Sequence, residues 1–311
     1  GRTVLILGTG GTHNTAAAVA RDEGAARVLT ASRRPDPAKG WISYEEAVRS
    51  GAQVVINTTP AGMYPDVGQC LLDVAAMPGL EAVVDVVYNP ARTELLLRAE
   101  EAGVPVTACG LEMLVAQAVW AAEYFLDKPF ADREGEICRS AAALRRDILN
   151  VSLVGMPSSG KTTLGRALAA ALGRPFVDLD EEIVRADGRS IPEIFAAEGE
   201  DGFRARETEQ VRRFGKESGL LISCGGGVVK RPENVRALRQ NGLVLFVDRP
   251  LEALAVGGGR PLSSSPEALR AMEAERRPLY EKAADAVIRN DGTAEDAAAR
   301  ALQALNELFA Q

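Results

Sequence analysis

The sequence predicts an α/β protein of two units in tandem, each a parallel sheet covered by helices, and three observations carry that prediction. Two apolar runs, Thr3-Val4-Leu5-Ile6-Leu7 and Val151-Ser152-Leu153-Val154, each lead straight into a glycine-rich turn and then an alanine-rich helical stretch. Strand-like runs alternate with helical patterns along the chain, the spacing that produces parallel strands joined by crossover helices. The 311 residues are long for one domain and comfortable for two, at about 100–200 residues per domain.

In the first half, Thr3–Leu7 runs into Gly8-Thr9-Gly10-Gly11-Thr12 and a helix at about 14–22. This is a dinucleotide-binding turn, in which Gly8 and Gly10 permit the tight turn and the approach of a pyrophosphate to the helix N-terminus. His13 stands where the usual fingerprint has its third glycine. After the next strand, Arg27–Ala31, an NAD site would carry an acidic residue, and this chain has Ser32-Arg33-Arg34. Two arginines there suit a 2′-phosphate, so NADP is favoured over NAD. Further strands at 53–57, 82–87 and 104–107, with helices near 44–49 and 93–102, predict a Rossmann-like doubly wound sheet over residues 1–132. Residues 133–149 are expected as linker or helix, because proline, glycine and charge cluster at 127–135.

In the second half, Gly155-Met156-Pro157-Ser158-Ser159-Gly160-Lys161-Thr162-Thr163 has the spacing of a P-loop between strand and helix. Its backbone amides, with Ser158, Ser159 and Thr163, would cradle the phosphates of ATP, Lys161 would supply a point charge, and Thr162 would reach magnesium. Phe176-Val177-Asp178-Leu179-Asp180 reads as a strand whose two aspartates share a face: Asp178 toward the magnesium shell, Asp180 toward an acceptor hydroxyl. Leu220–Cys224 leads into Gly225-Gly226-Gly227, which permits close approach of backbone to a ligand. Residues 150–311 are thus expected as a P-loop, nucleoside-monophosphate-kinase-like three-layer α/β domain.

Composition narrows the partners. With 46% hydrophobic residues the chain can bury two cores, and a net charge of -7 disfavours non-specific attraction to nucleic acid or anionic membrane. Anionic ligands must then be held by locally placed arginines. Four dispersed cysteines and the single His13 offer no zinc spacing and read as free thiols of a reducing cytoplasm. No apolar run approaches the ~18 residues of a membrane span, and no charged-then-apolar leader opens the chain. Small-molecule substrates are expected, and the oligomeric state stays open. A strand pattern that begins directly after Gly1 suggests a segment removed upstream.

Two resemblances sharpen these expectations. Gly8-Thr9-Gly10-Gly11, the arginine pair after Ser32, Asn57-Thr58-Thr59-Pro60-Ala61-Gly62-Met63, Asp85-Val86-Val87-Tyr88-Asn89-Pro90 with Thr93, and Gly110-Leu111-Glu112-Met113-Leu114 with Gln117 resemble the nucleotide-binding half of the shikimate dehydrogenases. That resemblance implies NADP contacts at Gly8, Gly10, Gly11, Ser32, Arg33, Arg34, Thr58 and Met63. Of the family's substrate contacts it leaves only Tyr88 and Gln117. The family's catalytic lysine and aspartate lie in an N-terminal domain with no counterpart in this chain, so NADP binding without shikimate oxidation is expected.

The P-loop, Asp178-Leu179-Asp180, Phe203-Arg204, Gly225-Gly226-Gly227, Arg260-Pro261-Leu262 and Arg276-Arg277-Pro278-Leu279-Tyr280 resemble the shikimate kinases from about Asn150 onward. Composition alone would call Arg204 and Arg276 solvated; the resemblance implies that they clamp the shikimate carboxylate beside Gly226 and Gly227. It also implies that Asp180 orients the 3-hydroxyl, and that Lys161 and Arg260 neutralise the transferring phosphoryl. The lid region, Ala253 to Gly259, is short, glycine-rich and without basic residues, and adenine contacts are expected near Asn290-Asp291-Gly292. Rival readings are another small-molecule kinase, an NADP-sensing domain that regulates the kinase, and a dehydrogenase active only in a longer, bifunctional parent.

Overall fold

A computed structural model of the chain describes residues 1–254 and 265–310. It divides into two compact units, Gly1–Ala141 and Ala142–Gln311.

The first unit runs β1 (Thr3–Leu7), α1 (Gly11–Asp22), β2 (Arg27–Ala31), β3 (Trp41–Ile42), α2 (Tyr44–Val48), β4 (Val54–Asn57), β5 (Ala82–Asp85), α3 (Glu94–Glu101), β6 (Val106–Ala108), α4 (Leu111–Leu126) and the first part of α5 (Arg133–Ile148). Its six strands lie in the order β3-β2-β1-β4-β5-β6, all neighbours parallel. Alternation along β1 assigns the two faces: Leu5 and Leu7 are buried with Val55, Val83 and the Leu95-Leu96 pair of α3, while Val4 and Ile6 meet Ala17 and Ala20 of α1. Each fully buried leucine contributes about 1.5–3 kcal/mol relative to exposure. Because β2 and β4 leave β1 in opposite directions, the strand order reverses there and opens a crevice at the carboxyl ends, beside Gly8.

Asp85, at the end of β5, is fully buried and ties three segments together. It accepts from Asn57 Nδ2 at 2.9 Å, from Val87 N at 3.0 Å and from Thr93 Oγ1 at 2.6 Å, and Thr93 in turn caps α3. Burial pushes its carboxyl up to about 6 against the pull of those three donors. The chain around 133–148 forms one helix, α5, and the boundary between the units falls within it.

The second unit runs β7 (Asn150–Val154), α6 (Lys161–Leu172), β8 (Phe176–Asp178), α7 (Leu179–Asp187), α8 (Ile191–Gly215), β9 (Leu221–Ser223), α9 (Pro232–Gln240), β10 (Gly242–Asp248), α10 (Pro266–Ala283), β11 (Ala286–Arg289) and α11 (Ala294–Phe309). The parallel order β11-β10-β7-β9-β8 puts β7 at the centre, and every residue of β7 is buried. Its glycine loop therefore springs from the best-supported strand of the sheet. Gly165 lets α6 lie close on that sheet, since a Cβ there would stand 2.6 Å from the Phe176 ring. Ser190 and Glu193 close a capping box at the start of α8, and Gly199, at φ 70°, kinks the helix one turn before Arg204.

One sequence expectation fails in detail. Strand β8 stops at Asp178, and Asp180 belongs to the first turn of α7, so the two aspartates do not share a strand face. The cause is local: Asp178 Oδ1 accepts from the Asp180 N–H at 3.1 Å, an N-cap that turns the chain into helix immediately.

Candidate active site

In the second unit the loop after β7 is shaped by backbone that few residues tolerate. Gly155 and Gly160 have φ of 147° and 94°, and a Cβ on either would stand 2.6 Å from Val247 O or Asn290 Nδ2. Ser158 is also left-handed, at φ 64°. Lys161 is folded back over the loop, its Nζ donating to Gly155 O at 2.9 Å and Met156 O at 2.8 Å. Asn290 Nδ2 donates to Ser159 O at 2.7 Å, so this side chain braces the loop. Ser159 and Gly155 support the loop from behind, whereas Ser158, Gly160, Lys161, Thr162 and Thr163 face a cavity of about 690 Å³.

Thr162 Oγ1 donates to Asp178 Oδ2 at 2.9 Å and lies 3.4 Å from Ser223 Oγ. Hydroxyl and carboxylate oxygens at the edge of a phosphate loop form a hard donor pair suited to magnesium. Asp180 lines the same cavity from α7.

Arg204, Arg276 and the triple glycine line the same cavity. Arg204 is 6% exposed and lies between two carboxylates: Glu207 Oε2 at 2.8 Å and Glu200 Oε1 at 3.1 Å. Glu207 is wholly buried and its Oε1 has no hydrogen-bond partner; burial pushes its carboxyl up to about 7, with Arg204 pulling the other way. Arg276 Nη1 donates to Gly226 O at 3.0 Å, and the Tyr280 hydroxyl donates to the same oxygen. The glycines are dictated by crowding. A Cβ on Gly225 would stand 2.8 Å from Glu207 Oε1, one on Gly226 would stand 2.9 Å from Pro157 Cδ, and one on Gly227 would overlap the Arg204 guanidinium. Glu207 was not legible as a site residue in the sequence; its only signal is a carboxylate one helical turn after Arg204.

One cavity therefore joins a phosphate loop and a hard-oxygen pair to two buried arginines with backbone between them. The shikimate kinase family model matches residues 157–306. A shikimate kinase of Symbiobacterium thermophilum is 46% identical over 169 residues, which is 51% of this chain and 97% of that protein. The chain belongs to the shikimate kinase family. Among solved structures, shikimate kinase from Acinetobacter baumannii in complex with shikimate is similar at a TM-score of 0.51 and 36% identity, over 54% of this chain and 98% of that one. A chorismate mutase/shikimate 5-dehydrogenase fusion protein from Clostridium acetobutylicum is similar at 30% identity and a TM-score of 0.40, over 44% of this chain and 53% of that one. Arg260 and the glycines of the lid region lie outside the described residues.

The first unit has its own cavity, of about 810 Å³, at the β1 crevice. Gly8, Gly10, Ser32, Arg33, Arg34, Thr58 and Thr59 line it, joined by Trp41 and Tyr44, which the sequence did not single out. Gly8 has φ of 101°, and a Cβ there would stand 2.7 Å from Thr59 Cγ2. Ser32 Oγ accepts from Arg34 N at 3.2 Å and so bends the basic turn around the strand end. Gly11 opens α1 without lining the cavity. Met63, Tyr88 and Gln117 also lie outside its lining; Met63 and Tyr88 are 47% and 46% exposed, and Gln117 is on an exposed face of α4. Arg33 and Arg34 are the only charged residues lining the cavity among those described.

No helix among the described residues is long and apolar enough to cross a membrane.

Proposed function

We propose that the second unit transfers the γ-phosphoryl group of ATP to the 3-hydroxyl of shikimate, giving shikimate 3-phosphate and ADP. The observation that carries this reading is that Lys161, Thr162, Arg204 and Arg276 line one cavity. Arg204 and Arg276 would hold the shikimate carboxylate with planar, charge-assisted hydrogen bonds beside the Gly226 and Gly227 backbone. Glu207 keeps the Arg204 fork fixed in the absence of substrate, which lowers the cost of ordering it on binding.

Asp180 orients the attacking hydroxyl and takes its proton as the new O–P bond forms and the bond from the γ-phosphorus to the β-bridging oxygen breaks. Lys161, whose Nζ is held by loop carbonyls, stabilises charge on the transferring group, with Arg260 expected to join it. Magnesium bound by Thr162 and Asp178 would neutralise charge between the β- and γ-phosphates. Positioning and electrostatics supply most of the acceleration.

We further propose that the first unit binds NADP, supported by the Arg33-Arg34 pair at a cavity beside a glycine turn and a helix N-terminus. A cytoplasmic location suits both nucleotides. The test is a coupled assay of ADP release with magnesium, ATP and shikimate, run beside absorbance of NADPH. A substrate panel including gluconate and nucleoside monophosphates separates this reading from that of a related small-molecule kinase.

A further inference from the structure

We propose that Arg249 is a further nucleotide-binding residue of the kinase site, gripping the phosphate chain; this rests on the ATP-dependent reading above. Strand β10 ends at Asp248, which is pinned from two sides: its carbonyl accepts from Asn290 N at 2.7 Å and its carboxylate from Arg277 at 2.6 Å. Arg249 is the next residue, and Pro250 behind it disfavours a helical backbone at this position. The arginine therefore leaves the sheet at its carboxyl edge, on the strand next to β7, and lines the cavity.

Its guanidinium faces the phosphate loop. Nη1 lies 3.8 Å from the point that a Cβ on Gly160 would occupy, and Gly160 is the N-cap of α6. The N-terminus of that helix, Lys161 and Arg249 thus converge on one end of the cavity. A second cation at the positive end of a helix is unfavourable unless an anion joins it.

Among the described residues the other arginines lining the cavity have partners: Arg204 has Glu200 and Glu207, and Arg276 has Gly226 O. Arg249 has none of this kind. Its Nε, like that of Arg276, is buried without a hydrogen-bond partner, and among the described residues neither a carboxylate nor a carbonyl pairs with its guanidinium. A donor desolvated before the ligand arrives is preorganised for a phosphate oxygen, which a planar guanidinium takes in two parallel bonds. The sequence between Glu252 and Arg260 holds no lysine or arginine, so that stretch supplies no alternative cation.

The experiment compares the intact chain with R249M and R249K. Calorimetric binding of magnesium-ADP and of inorganic tripolyphosphate is measured without shikimate, so the role of the arginine is read whatever the acceptor proves to be. R249M should weaken both ligands by about tenfold or more, and R249K should restore part of the loss. In turnover, KM for ATP should rise by a similar factor while KM for shikimate stays within about twofold. Thermal midpoints without nucleotide, compared across the three proteins, separate loss of fold from loss of grip. Unchanged ADP affinity in a folded R249M overturns the proposal, as does weaker ADP binding with unchanged tripolyphosphate binding, which would assign the contact to the base. A wild-type chain that binds ADP but forms none from ATP and shikimate would refute the acceptor assignment and leave the Arg249 result standing.

Discussion

The chain contains the same device twice, and the two copies differ in what surrounds them. Gly8 to Gly11 and Gly155 to Lys161 each follow a buried inner strand of a parallel sheet and each open a helix of 12 residues. Both place a helix N-terminus at the carboxyl edge of the sheet, where anions bind. In the second unit the loop carries its own cation, Lys161, and the neighbouring elements deliver Asp178, Asp180, Arg204 and Arg276 to the same cavity. In the first unit the cations come from the next strand, and the remaining described lining is hydroxyl, amide, aromatic or aliphatic. A phosphate cradle gives binding. Chemistry depends on the acids and bases that adjacent strand ends and helices deliver to it.

The sharpest way to break that contrast is to remove the acid from the site that has one. Asp180→Asn should lower the kinase kcat by about a hundredfold or more while ATP affinity stays within a fewfold, read from initial rates and calorimetry. A mild loss of kcat would mean that Asp180 is not the proton acceptor. Next in size, Arg276→Ala should raise KM for shikimate by roughly tenfold or more, with KM for ATP nearly unchanged. Equal losses for both substrates would contradict the assignment of Arg276 to the shikimate carboxylate.

A substitution in the first unit should act only there. Arg33→Ala with Arg34→Ala is expected to weaken NADP binding by about tenfold while leaving the weaker NAD affinity and the kinase rate unchanged. Changed kinase kinetics in this variant, or in the wild type on saturating NADP, would reveal a sensing role.

The smallest effect concerns Asp85, whose folded carboxyl is pushed up to about 6 from the ordinary 3.8. The folded state then holds its proton more tightly than the unfolded state. The contribution of this group to stability is fully present below about 4 and is lost as pH rises through about 6. Relative to Asp85→Asn, the wild type should therefore lose up to about 3 kcal/mol of stability across that window, measured by denaturant unfolding at each pH. A difference independent of pH would show that Asp85 keeps its ordinary affinity for protons.

Much of the kinase unit can be read from the sequence because its constraints are local. The glycine loop, the following helix and the strand before it are contiguous, and positive φ at Gly155 and Gly160 explains the residues the motif requires. The boundary inside Asp178-Leu179-Asp180 was misplaced because a side-chain cap, rather than hydrophobic alternation, ends the strand. Strand β3, two residues long, is too short to show a period. Glu207 and Arg249 were missed for another reason: their roles arise from tertiary meetings, with Arg204 in one case and the Gly160 loop in the other. The triple glycine predicts close approach of backbone to a ligand, and the structure adds crowding by Glu207, Pro157 and Arg204, which no local pattern announces.

The central claim, a working kinase joined to a nucleotide-binding unit without its own chemistry, is tested most directly by one purified sample in two assays. With magnesium, ATP, shikimate and NADP present, ADP should accumulate while the absorbance of NADPH stays at baseline. Steady NADPH formation with shikimate, or no release of ADP, would contradict the account.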